Sequence, residues 1–105
     1  MNKPKSSRKK SEVKGHWVEG SVQDFLQLSD ADMEYIEMRL AASRYLKSIR
    51  QAQNMTQKMV ATKLHTSQSR LAKMEAGDAS VSLDLLFKSL FSLGVSRKKL
   101  VHALG

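Results

Sequence analysis

The chain has 105 residues, room for one domain, and its 41% apolar residues are enough for a small core and too many for a wholly disordered chain. It contains no Cys, which excludes disulfides, thiolate metal sites and Cys nucleophiles together and suits a reducing cytoplasm. The net charge of +8 favours a polyanionic partner, nucleic acid or anionic lipid.

Residues 1–15, MNKPKSSRKKSEVKG, carry a net charge of +5 and almost nothing to bury, which predicts a disordered basic tail. No apolar h-region follows Met1, so no secretory signal is expected. No apolar run approaches the roughly 18–20 residues that span a bilayer, so no membrane partner is expected either. The tail is either simply solvated or tracks phosphates beside a binding site, adding salt-sensitive affinity. Residues 16–28 hold Trp17, Val18, Val22, Phe25, Leu26 and Leu28 without a clean period and read as an irregular arm. Residues 16–40 carry a net charge of −5. An acidic, apolar-studded arm of this kind either wraps a basic partner, packs on its own domain or forms a homodimer contact.

The folded domain is expected over residues 29–105. Ser29 reads as an N-cap, with Asp30 and Asp32 in the first turn and Asp32 placed as the acid of a capping box. Met33, Ile36, Leu40, Leu46 and Ile49 recur at helical spacing, so the helix runs to about Gln53, with a possible bend near Ala41–Ser43, and Asn54 ends it in the left-handed region. Thr56 caps a short second helix whose inner face is Val60, Ala61 and Leu64. Ser67 caps a third, with Leu71 and Met74 inward and Gly77 at its end. Residues 80–93 show the clearest amphipathic stripe, Leu83, Leu86, Phe87, Leu90 and Phe91, stopped by Gly94. Ser96 caps a last helix with Leu100, Val101 and Leu104. No strand pattern and no repeat is present, so the fold class is all-α, a compact bundle of about five helices.

Within this bundle, residues 56–77, TQKMVATKLHTSQSRLAKMEAG, form two short helices joined by about three residues, with small Ala61 at their contact: a helix-turn-helix. Thr56-Gln57, Ala61, Leu64, Ser67-Gln68-Ser69 and Glu75-x-Gly77 resemble the DNA-binding core of the lambda-repressor-like, or XRE, family. Arg50 matches the family's arginine that pairs with the glutamate equivalent to Glu75, so the resemblance implies a structural ion pair between these two. It further implies a transcriptional regulator, a repressor that acts on its own operon. Residues 17–104 resemble small XRE proteins of the HigA type, on FLQLSDADMEYIEMRLA before the motif and GDASVSLDLLFKSLFSLG after it. That second resemblance implies an antitoxin whose main role is to neutralise a basic ribonuclease toxin of the RelE/HigB type, with operator binding secondary. The chain departs from the family at two places. His65 stands where the inter-helix turn has Gly, and Asp78 stands where phage repressors are often basic, which puts phosphate contacts from residues 78–80 in doubt.

The third helix supports DNA reading on its residues alone. At about 100° per residue, Gln68, Ser69, Ala72 and Lys73 share one arc, opposite Leu71 and Met74. Gln pairs with adenine, Lys with guanine, and the Ala72 methyl touches thymine methyl groups, while Arg70 flanks the arc within reach of a base or a phosphate. Gln57 and Ser67, at helix N-termini, and the solvent-face Lys58 and Lys63 are candidate phosphate contacts. One such helix reads too few base pairs, so a homodimer on a two-fold double-stranded DNA operator is expected, its dimer surface drawn from Leu86, Leu90, Leu100, Val101 and Leu104. Arg97, Lys98 and Lys99 crowd the first turn of the last helix against its dipole, as a phosphate contact or as a solvated run.

Nothing in the sequence assembles an enzyme. His16, His65 and His102 lack ligand spacing, so no metal and no cofactor is expected. Met33, Met38, Met55, Met59 and Met74 read as core or near-core filler, and Tyr35 and Tyr45 as packing residues. A non-specific nucleoid or RNA-binding role is the remaining rival, against which the lack of an aromatic stacking surface counts. The expected location is the bacterial cytoplasm or nucleoid.

Overall fold

The computed structural model describes residues 26–105. The tail 1–15 and all but Leu26–Leu28 of the arm lie outside the described residues. Among the described residues five helices follow in order: α1 (Asp30–Ala52), α2 (Gln57–Lys63), α3 (Gln68–Ala76), α4 (Leu83–Ser92) and α5 (Arg97–Leu104). No strand occurs among the described residues, so the fold is all-α, and none of these helices is long and apolar enough to cross a membrane.

The chain divides into two units between Ile36 and Glu37, inside α1. In the first, Ser29 and Asp32 exchange hydrogen bonds. The Asp32 N–H donates to Ser29 Oγ at 3.0 Å and the Ser29 N–H donates to Asp32 Oδ2 at 3.1 Å, a complete capping box built on the shorter acid.

In the second unit, a hydroxyl caps the start of α2, α3, α4 and α5, and left-handed residues end four helices. Thr56, Ser67, Ser82 and Ser96 each accept the N–H three residues on, which satisfies one orphan donor apiece. Asn54, His65, Gly77 and Gly94, at φ of 58°, 57°, 78° and 93°, close α1, α2, α3 and α4. Each closure has two bonds. At α1, for example, the Asn54 N–H donates to the Gln51 carbonyl and the Met55 N–H to the Arg50 carbonyl, the Schellman pattern. These stops keep α2 and α3 short and set the angle at which one leaves the other.

The core is formed by Ala42 and Leu46 of α1, Val60 and Ala61 of α2, Leu71 and Met74 of α3, and Val81, Leu86, Leu90, Leu93, Val95 and Leu100 from the C-terminal part. Burying each large aliphatic side chain stabilises the fold by about 1.5–3 kcal/mol. The Gln53 amide donates to the Leu93 carbonyl at 2.9 Å, tying the end of α1 to the end of α4.

Burial corrects several sequence-based expectations. Leu86 and Leu90 are fully buried and Leu100 is 4% exposed, so these three belong to the monomer's own core and are not a dimer surface. A domain this small has too little interior to spare any leucine that faces inward. Of the expected dimer residues, Val101 alone stands well out, at 69% exposure, while Leu104 packs against the core. Phe91, at the end of the α4 stripe, is also exposed. Met74 is core and Met55 packs beside it, but Met38 and Met59 are exposed. Tyr45 packs on the core, whereas Tyr35 is half exposed. Helical spacing gives direction around an axis; the width of the covered arc depends on which neighbour lies there.

Candidate nucleic-acid interface

The helix-turn-helix is built from α2, the Leu64–Ser67 turn and α3. Ala61, 3% exposed, is small enough to let the two helices pack closely. The turn is made by His65 in the left-handed region, with its N–H on the Thr62 carbonyl at 3.2 Å and the Thr66 N–H on the Ala61 carbonyl at 2.9 Å. A Cβ is uncommon there, and His is among the residue types that tolerate it. Ser67 then accepts the Arg70 N–H at 3.0 Å and starts α3.

One side of α3 faces the core and the other faces solvent. Leu71, Met74 and Glu75 are buried, while Gln68, Ser69, Arg70 and Lys73 are exposed around a partly covered Ala72. Ser67, Ser69, Arg70 and Lys73 line a shallow cleft of about 220 Å³ whose far wall is Ser80 and Val81. Gln68 and Ala72 lie on the same helix but are not in that lining. Lys58 and Lys63 are exposed on α2, and Arg97, Lys98 and Lys99 are exposed on α5.

Behind this face, Arg50 of α1 grips Glu75 of α3 at two points, Nε to Oε2 at 2.6 Å and Nη2 to Oε1 at 3.1 Å. Its third nitrogen, Nη1, donates to the Met55 carbonyl at 2.9 Å. The hydrogen bond to Glu75 raises the Arg50 guanidinium above its ordinary range. Gln57 joins the cluster, its amide donating to Glu75 Oε1 at 3.1 Å. One of the two Gln57 amide N–H groups is thus engaged inside the protein, which leaves the other, the carbonyl oxygen and the backbone for any other contact. One carboxylate therefore ties together the end of α1, the start of α2 and the end of α3.

The cleft's far wall is held by a residue that the sequence reading passed over. Arg39 is buried on α1, and its Nη2 donates to the carbonyls of Asp78 at 2.9 Å and Val81 at 2.6 Å. Arg39, Ala42, Ser43 and Leu46 form the buried stripe of α1, so helical spacing alone marks Arg39 as an inward arginine in need of acceptors. The Asp78 carboxylate accepts both the Ser80 N–H at 2.8 Å and the Ser80 hydroxyl at 2.6 Å. Those two bonds, the hydroxyl's first, hold the carboxyl below its ordinary range, and the charges of Lys73 and Arg39 act the same way. The Asp-x-Ser spacing is a turn signal that makes Ser80's placement legible from the sequence.

The helix-turn-helix family matches residues 46–100, just over half of the chain. No curated protein and no solved structure matches it.

Proposed function

The chain belongs to the lambda-repressor-like, or XRE, helix-turn-helix family of DNA-binding regulators, and from that premise we propose that it reads a double-stranded operator in the major groove with α3, as a homodimer that represses its own operon. The observation that carries the reading is the exposed polar face of α3: Gln68, Ser69, Arg70 and Lys73 stand clear around Ala72 while Leu71, Met74 and Glu75 anchor the opposite side. Short polar side chains around a central alanine let a helix sit deep, with amide and ammonium groups at base-edge depth. Ser67, Gln57, Lys58 and Lys63 surround this face as the phosphate contacts that set its register. Arg50 and Glu75 act behind it as structural supports and touch no DNA. A duplex-DNA partner puts the protein in the bacterial cytoplasm or nucleoid.

The test is selection of binding sites from random duplex DNA at about 150 mM salt, which suppresses counterion-driven binding. The expected result is a palindromic consensus with half-sites about 34 Å apart, one helical turn. Gln68→Ala and Lys73→Ala should each relax base preference at one position and cost about 1–3 kcal/mol. A folded chain that enriches no sequence would overturn the reading and turn attention to a protein partner, the basic ribonuclease toxin first.

A further inference from the structure

Three features of the loop after α3 bear on how an interface of this kind tells bases from phosphates. First, the loop is fixed: Arg39 reaches from the interior to the carbonyls of both Asp78 and Val81. Second, the loop is one wall of the cleft whose other walls are Ser67, Ser69, Arg70 and Lys73. Third, Ser80, the polar group on that wall, has both its N–H and its hydroxyl engaged by Asp78. Without Asp78 the cleft would be an anion trap, with an arginine, a lysine, three serine hydroxyls and a spare backbone N–H converging on it. A phosphate seated there would occupy the side chains that must face base edges. The carboxylate prevents this twice over. It consumes the donors of Ser80, and it stands as an exposed negative charge, one hydrogen bond behind the wall.

We propose that Asp78 is a specificity-determining residue, which keeps a DNA phosphate out of the α3 cleft so that Arg70 and Lys73 stay available to bases. The inference rests on the DNA-reading role of α3 proposed above. Its consequence is asymmetric. Backbone-only binding to random sequence can choose any register, so it gains most from an open phosphate seat. Binding at the operator has its register set by base contacts and gains little.

The test is Asp78→Asn. Asparagine keeps an oxygen that accepts the Ser80 N–H and hydroxyl, so the turn survives while the charge is lost. A single cooperative melt, its midpoint lowered only by the loss of the charged acceptor, checks the fold. Affinity for random-sequence duplex is expected to rise about fivefold, with the salt slope steeper by about one phosphate contact, while affinity for the selected operator stays within about twofold. Equal changes on both duplexes, or none on either, would overturn the proposal. A parallel titration with inorganic phosphate, followed by backbone amide NMR, separates this inference from the DNA reading. The Asp78→Asn chain, whose Ser80 donors stay engaged, should show saturable shifts at Ser67 and Ser69 that the unaltered chain lacks. If neither chain binds duplex DNA, the reading of function fails and the phosphate titration alone decides whether Asp78 guards the cleft. If both chains bind phosphate alike, the guard role is refuted.

Discussion

Arg50 and Glu75 meet in a two-point ion pair, 2.6 Å at its shorter contact, with side chains 12% and 4% exposed. The pair joins two helices 25 positions apart in the chain. Because Gln57 donates to the same carboxylate, the placement of α3 against α1 and α2 depends on one acidic residue. Glu75→Ala strands the guanidinium and the Gln57 amide together, and the expected loss is about 3–5 kcal/mol, a large part of the stability of a domain this size. Glu75→Gln, which keeps an acceptor oxygen, should lose less. Urea unfolding gives both values. A loss of DNA binding that disappears on cooling below the variant's transition would identify the effect as structural.

His65 closes α2 at φ 57°, where a side chain is disfavoured by about 1–2 kcal/mol. His65→Gly relieves that strain and offsets part of the gain through greater freedom of the unfolded chain. The expected net effect is stabilisation of about 0.5–1 kcal/mol, read as a higher denaturant midpoint at unchanged slope. Destabilisation would show that the imidazole makes a contact worth more than the strain.

Gly77 and Gly94 both end helices with positive φ, but their surroundings differ. A Cβ on Gly77 would come within 2.7 Å of Leu40 Cδ2, whereas one on Gly94 meets nothing within 4 Å. Gly94→Ala should therefore cost the left-handed penalty alone, about 1–2 kcal/mol. Gly77→Ala should cost more, because the Leu40 side chain must also shift. Thermal melts of the two variants side by side test the ordering. Equal losses would mean that Leu40 yields without penalty.

Asp32 and Asp78 are both held below the ordinary aspartate value of 3.8, Asp32 by the Ser29 N–H and then the Ser29 hydroxyl, Asp78 by the Ser80 hydroxyl and then the Ser80 N–H. The folded-state values lie below the unfolded one, so both groups stabilise the fold above pH 3.8, and that contribution is lost as pH falls through the folded values. Stability of the unaltered chain should be flat in these groups near neutrality and decline in acid. Asp32→Asn and Asp78→Asn should each flatten the acid decline, as followed by urea midpoints across a pH series.

Much of this protein is decided locally and is therefore legible in the chain. Helix starts are set by Ser29, Thr56, Ser67, Ser82 and Ser96 through hydrogen bonds that span three residues, and the left-handed stops at Asn54, His65, Gly77 and Gly94 are equally local. All of these except Ser82 and His65 follow from residue type and spacing, and His65 is marked only by the family resemblance, whose turn has Gly there. The helix-turn-helix followed from them, as did the solvent-facing arc of α3, because helix ends and periodicity depend on neighbours in sequence. Tertiary structure decided what depends on distant neighbours. It took Leu86, Leu90 and Leu100 into the core, left Phe91 and Val101 outside, and gave the Gln57 amide to Glu75. It also brought Arg39 to the loop at Asp78–Val81, 39 and 42 positions away, which holds Ser80 and Val81 in place as a wall of the α3 cleft. The physical reason is the same in each case. A residue's direction follows from local backbone geometry, but what covers it, and which buried donor finds which acceptor, is settled only when the core closes.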